Sequence, residues 1–164
     1  MNAIDLLKAD HQIVKEILTQ LQESSTRAVK GRTQLLYKLE AEVSVHTKLE
    51  EELLYPAFKE AGGKEEAQMF YEAKEEHRTV DSLVLPDLKG TDPSTPEFTG
   101  RVKVIKELLE HHIDEEEREL FPRARKLLSK SRLDEMGEQM AERKTELKKQ
   151  IGEAQKQDSS NQAA

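Results

Sequence analysis

The chain has 164 residues, enough for one domain of ordinary size, with 36 % charged residues, 4 % aromatics and no tryptophan, a balance that suits long helices better than sheets. A net charge of -7 leaves no basic patch to displace counterions from a phosphate backbone, so nucleic acid is not an expected partner. There is no cysteine, which excludes disulfides and thiolate chemistry, and no stretch approaches the roughly 18 apolar residues of a membrane span. The expectation is a soluble cytoplasmic protein whose chemistry rests on histidine and carboxylate side chains.

Taken in chain order, the apolar residues recur at spacings of three and four, the mark of amphipathic helices around a shared core. The first stripe is Ile4, Leu7, His11, Val14, Leu18 and Leu21; it puts a histidine where the pattern reserves a buried residue. The second is Leu36, Leu39, Val43, His46, Glu50, Leu53 and Ala57, with a histidine and a glutamate both facing inward. The third is Phe70, Ala73, His77, Val80 and Val84, and the fourth is Val102, Ile105, Leu109, His112 and Glu116. Turn residues separate them at 24–31, 62–63 and 90–96. Short links favour antiparallel neighbours, so the expected fold is an all-α, up-down-up-down four-helix bundle over residues 1–128. An additional C-terminal amphipathic helix is expected within 129–157, from about Ser131 to Glu153, free either to cover the bundle or to join a second copy or another protein. Residues 158–164, Asp-Ser-Ser-Asn-Gln-Ala-Ala, read as a disordered tail.

An internal duplication ties the inward polar residues together. At one offset of 66, His11 maps to His77, His46 to His112, Glu50 to Glu116 and Pro56 to Pro122. Counted from the loop centres at about 1.5 Å per residue, all four histidines reach the same layer of the bundle. Glu50 and Glu116 follow His46 and His112 by four residues, so each pair projects from one helix face. Ionised glutamates left unpaired in an apolar interior would each cost several kcal/mol, and a cation removes that cost. Imidazole and carboxylate without thiolate suit iron, manganese or zinc rather than copper(I). Six ligands exceed the needs of one tetrahedral ion but suit two. The predicted arrangement sets His11 and His46 on one metal, His77 and His112 on the other, and Glu50 and Glu116 across both, with an oxo or hydroxo bridge and one position on each metal for a small molecule.

The pieces Asp10-His11-Gln12, His46-Thr-Lys-Leu-Glu50, Glu76-His77-Arg78 and His112-Ile-Asp-Glu-Glu116 resemble the hemerythrin-like family, the HHE cation-binding domain, over about Asp5 to Lys126. The resemblance implies a non-haem centre of two iron ions (Fe2+/Fe3+) in a four-helix bundle, with dioxygen binding in the namesake members and iron, oxygen or nitric oxide responses in others. The chain departs from the oxygen carriers at Ala73, where they hold a further histidine; one iron would be left less saturated. That departure weighs toward oxidation chemistry, but every version needs a di-iron site that meets a small gas or oxidant, so the expected function is binding of dioxygen, nitric oxide or peroxide. The alternatives are an oxidase or peroxidase-like enzyme and an iron storage or donation protein. His111 reads as solvent-exposed, Tyr55 and Phe121 as packing residues, and Asp10, Glu76 and the glutamates flanking Glu50 and Glu116 as surface charge; the alternative for Asp10 and Glu76 is to orient ligands on adjacent helices.

Overall fold

The first rod begins at Asn2, whose side-chain oxygen accepts the Asp5 N–H at 3.0 Å and satisfies one of the free donors of α1 (Ala3–Glu23). The second rod is α2 (Val29–Leu49), a π-helical turn (Glu50–Leu54) and α3 (Tyr55–Ala61). The third has the same construction, with α4 (Lys64–Thr79), a π turn (Val80–Val84) and α5 (Leu85–Lys89). So does the fourth, with α6 (Pro96–Glu115), a π turn (Glu116–Leu120) and α7 (Phe121–Leu127). The fifth rod is a single helix, α8 (Lys130–Ala163). The computed structural model describes residues 1–163, with side chains through residue 161, and holds no strand among them.

Four rods form the bundle, and α8 packs on α1 and α2. Gly137 makes that seating close, since a Cβ there would overlap the Met1 carbonyl and the Asn2 backbone. The expected helix over 131–153 is present but too short as read. It continues through Ala163 and takes in most of the tail expected to be disordered; Ala164 lies outside the described residues. Lys148 to Glu42 at 3.1 Å, and the Gln155 amide donating to the Tyr37 carbonyl at 2.8 Å, hold its C-terminal half against α2.

The three π turns share one cause. Each ends two residues before a proline (Pro56, Pro86 or Pro122), whose ring would strike the carbonyl four residues back in a regular α-helix. Widening the turn avoids that clash. The last N–H before each proline then reaches back five residues, Tyr55 to Glu50, Leu85 to Val80 and Phe121 to Glu116. Pro56 and Pro122, like Pro86, are thus accommodated by a local widening, and the helices continue. The extra residue also moves the buried face by one position. Leu53, Ala57 and Val84 of the expected stripes are only partly buried, while Leu54, Phe58 and Leu85 take the core positions.

The core is two apolar clusters separated by a polar layer. One gathers Ile4, Leu7, Leu54, Phe58 and Ala124 with Met136 and Met140 of α8. The other gathers Val14, Leu18, Leu39, Leu88, Phe98 and Ile105 at the opposite end. At that end the buried Arg32 clasps two loops, donating to the Ser24 carbonyl at 2.8 Å and the Pro93 carbonyl at 2.7 Å while lying 5.1 Å over the Phe98 ring. Both loops are thereby held, and with them the lengths of the rods that bring the histidines to one level.

Candidate metal centre

The polar layer is formed by His11, His46, Glu50, His77, His112 and Glu116, none more than 6 % exposed. The structure brings all six together, in two groups of four that share the glutamates. In one, the Nε2 atoms of His11 and His46 lie 3.1 Å apart, Glu50 Oε1 is 3.0 Å from His46 and Glu116 Oε2 is 3.2 Å from His11. In the other, the Nε2 atoms of His77 and His112 are again 3.1 Å apart, with Glu50 Oε2 at 3.2 Å from His77 and Glu116 Oε1 at 3.5 Å from His112. Each carboxylate therefore turns one oxygen to each group, the disposition of a bridge between two ions.

The residues fit such ions on two grounds. Glu50 Oε1 and Glu116 Oε2 are fully buried acceptors without a hydrogen-bond partner, a condition that is costly unless a cation meets them. The edges of 3.0 to 3.5 Å also match the spacing of neighbouring ligands around an ion with bonds of roughly 2.0–2.2 Å, about 3.0 Å at a right angle and about 3.5 Å at a tetrahedral one.

Every Nε2 points inward because every Nδ1 faces a carboxylate on a different rod. His11 meets Glu117 at 2.8 Å, His46 meets Asp10 at 3.6 Å, His77 meets Glu51 at 3.5 Å and His112 meets Glu76 at 3.0 Å. The four pairs close a ring, each histidine oriented by the rod before it and the first by the fourth. Such partners fix ring orientation and raise ligand basicity. Glu51 and Glu117 were expected on a solvated face, and the structure corrects that; for Asp10 and Glu76 it replaces the expected surface charge with the alternative, orienting a ligand on the adjacent helix. The signal was in the repeat, since the offset of 66 that relates the ligands also relates Asp10 to Glu76 and Glu51 to Glu117. His111, by contrast, is where it was expected, on the surface beside Glu115.

This crowd of carboxylates favours positive charge on the imidazoles of His46, His77 and His112. Burial opposes the charged form of His46, but the Glu50 carboxylate and the neighbouring Asp10 carboxylate overcome it and raise its pKa to about 10. Burial likewise opposes charge on His77, and the adjacent Glu50 and Glu51 carboxylates raise it to about 9. Glu50 is held well below the usual carboxylate range despite its burial, chiefly by the charge of His46. A metal ion must displace these protons, so its affinity rises with pH.

Tyr55 is the residue the sequence reading undervalued. In a regular α-helix it would lie about 140° around from Glu50, but the π turn returns it to the same face. Its buried hydroxyl donates to Glu116 and lies 3.2 Å from both Glu50 Oε2 and His77 Nε2. Burial first, and then the charges of Glu116 and Glu50, push its pKa well above the ordinary phenol value, so it keeps its proton. The ring stacks on His77 at 5.3 Å, and at the matching repeat position Phe121 stacks on His11 at 5.5 Å without a hydroxyl.

On the opposite side of the layer a cavity of about 320 Å³ is lined by all four histidines together with Val14, Val43, Val80, Leu109 and Ile113. Its exposed lining residues, Glu72, Glu75 and Leu108, belong to α4 and α6, so it opens between those helices. No helix among the described residues is long and apolar enough to cross a membrane.

Comparison with known proteins agrees with this geometry. The family model of the Hemerythrin HHE cation binding domain matches residues 2–124. The uncharacterized protein Rv2633c of Mycobacterium tuberculosis is 30 % identical over 150 residues, covering 90 % of this chain and 88 % of that protein. A DNA nickase of Nostoc sp. is 28 % identical over 153 residues, 93 % of this chain, which spans only 42 % of that longer protein. The crystal structure of a Hemerythrin HHE cation binding domain-containing protein, the Rv2633c homolog from Mycobacterium kansasii, superposes with a TM-score of 0.80 at 30 % identity, covering 92 % of this chain and 89 % of that one.

Proposed function

The chain belongs to the hemerythrin HHE cation-binding domain family, and on that premise we propose that it holds a carboxylate-bridged pair of iron ions that takes dioxygen, nitric oxide or peroxide. His11 and His46 would hold one ion, His77 and His112 the other, and Glu50 and Glu116 both. Bound iron would supply the redox and ligand-exchange chemistry that imidazole and carboxylate lack. The observation that carries the reading is the apolar cavity walled by all four histidines. Its valine, leucine and isoleucine side chains disfavour hydrated ions and admit small, weakly hydrated molecules to the histidine layer. Tyr55 closes the other side and holds its proton between the two carboxylates.

Tyr55 and Ala73 favour a second reading, turnover of peroxide or dioxygen. A buried phenol O–H within hydrogen-bond reach of the bridging carboxylates is a proton source at the site, and Ala73 provides no imidazole there. Nucleic acid remains outside the proposal, because the net charge is -7 and the DNA nickase likeness covers less than half of that protein. The deciding experiment is the optical spectrum of protein loaded anaerobically with iron(II), recorded before oxygen, after oxygen and after its removal, and repeated with hydrogen peroxide. A band that appears and reverses supports binding. Irreversible oxidation with sustained peroxide consumption selects turnover, and failure to retain iron removes both readings.

A further inference from the structure

The cavity beside the histidine layer is larger than a diatomic gas or hydrogen peroxide requires. Its inner wall is built by repeat mates at the offset of 66: Val14 with Val80, Val43 with Leu109, and Thr47 with Ile113, all buried. Both halves thus contribute alike, and the space faces His11 and His46 as it faces His77 and His112. The five aliphatic residues belong to the apolar cluster on one side of the polar layer, so hydrocarbon stands on one side of the cavity and imidazole on the other. The Thr47 hydroxyl donates to the Ser44 carbonyl at 3.3 Å and the Thr79 hydroxyl to the Glu75 carbonyl at 2.9 Å, so the threonines in the wall are engaged within their own helices.

An apolar cavity of roughly 150 Å³ admits one benzene ring. At about 320 Å³ this one has room for a hydrocarbon of about nine carbons. Hydrogen peroxide, small and strongly hydrated, gains nothing from such walls. The entrance bears on the charge of the occupant. Glu72, Glu75 and Glu76 line the cavity and no lysine or arginine does. Glu75 pairs with Arg78, whereas Glu72 has no lysine or arginine partner among the described residues. Carboxylates at the mouth and aliphatic walls behind them disfavour entry of an anion.

The geometry points to a substrate class: the cavity takes an uncharged organic hydroperoxide, R–O–O–H with R of about nine carbons, its hydrocarbon among the valine, leucine and isoleucine side chains and its O–O–H end at the histidines. This inference rests on the metal-pair reading above and narrows its peroxide to one kind. Two-electron reduction breaks the O–O bond, takes one electron from each of two iron(II) ions, which become iron(III), and with two protons yields R–O–H and water.

The first test is calorimetry on the full chain as purified, its iron content determined, with straight-chain alcohols from butanol to undecanol, which resemble the reduced product and do not react. Affinity is expected to rise by up to about four-fold per CH2 and to level near nine carbons, with nonanoate at least about ten-fold weaker than nonanol. Val80→Phe fills the cavity and should weaken nonanol about ten-fold, whereas Val104→Phe, on the exposed face of α6, should not. The length series needs no variant and decides even where Val80→Phe does not fold. The second test mixes the iron(II)-loaded chain anaerobically with cumene hydroperoxide, and cumyl alcohol is expected, one for every two iron(III) formed. Affinity independent of chain length, equal binding of nonanoate, full nonanol affinity in a folded Val80→Phe chain, or acetophenone from one-electron cleavage would each overturn the proposal and leave the metal pair standing. Failure of the wild-type chain to retain iron would remove the metal pair, and the reduction with it.

Discussion

Halves one and two place His11 and His77, His46 and His112, and Glu50 and Glu116 at matching positions, yet α8 packs mainly on the helices of the first. The surroundings differ accordingly. The first half has leucines under α8, with Lys144 of that helix paired to Asp10, which in turn faces His46. The second half has glutamates facing water, an apolar cavity opening between α4 and α6, and a half-exposed Glu76 in the role of Asp10. A duplicated unit thus keeps the inner constellation alike while one half becomes the sealed wall and the other the side of access. The difference is concentrated at a few repeat positions, Leu6, Leu49 and Leu53 against Glu72, Glu115 and Glu119, which is what one covering helix requires.

The largest effect is expected where the halves are most alike. His46→Ala and His112→Ala each remove one inward nitrogen, so each should reduce bound metal from about two ions to about one per chain. Each should also lower metal-dependent stability by about 3 kcal/mol at metal concentrations near a hundred times the dissociation constant. Metal analysis and thermal unfolding in matched metal buffers check both. Equal, full metal content in the two variants would remove the ligand assignment from both halves.

A smaller effect should separate them. The Asp10 carboxyl is held low against its own burial by the proximity of His46 and by the hydrogen bond and charge of Lys144. Lys144→Met leaves that carboxylate with His46 alone, and second-layer changes of this kind cost roughly ten-fold in metal affinity. The loss should fall on the His11–His46 position and spare the other. Chelator competition resolving two affinities would show it, and an equal shift of both affinities would mean that α8 does not act through Asp10. Tyr55→Phe should come next, at about 1 kcal/mol of unfolding free energy, because a buried Glu116 loses a donor. It would also make the two aromatic positions identical, so a variant as stable as wild type in urea would deny the hydroxyl any part in holding the bridge.

The sequence carried the ligand layer well because helical periodicity is a strong signal and the repeat supplied an internal control. His11, His46, His77 and His112 stood in stripes otherwise made of leucine and valine, and each is buried. Phe70 aside, the four stripes failed within or just beyond the π turns, where one extra residue passed the core from Leu53 to Leu54 and from Ala57 to Phe58. A period of 3.6 cannot anticipate that shift, although the prolines at 56, 86 and 122 marked each place. Tyr55 was misjudged for the same reason. The orienting carboxylates were obscured differently: in a run such as Glu50-Glu51-Glu52, one residue bridges, one orients His77, and one pairs with Arg143 of α8, and composition alone assigns none of these roles.

The smallest expected effect falls on His111, which has no partner in the repeat, since Val45 stands at the matching position and is buried at 1 % exposure. Its Nε2 bonds Glu115 at 3.1 Å on the surface and does not turn toward the inner layer. His111→Ala should leave metal content and the affinities of both positions unchanged and unfolding within about 0.5 kcal/mol of wild type, as for exposed sites generally. Its proper comparison is His112→Ala, one residue along the same helix and about 100° away around it. If His111→Ala alone also emptied a position, the second half would have a ligand that the first lacks, and the two halves would differ at the metals themselves as well as around them.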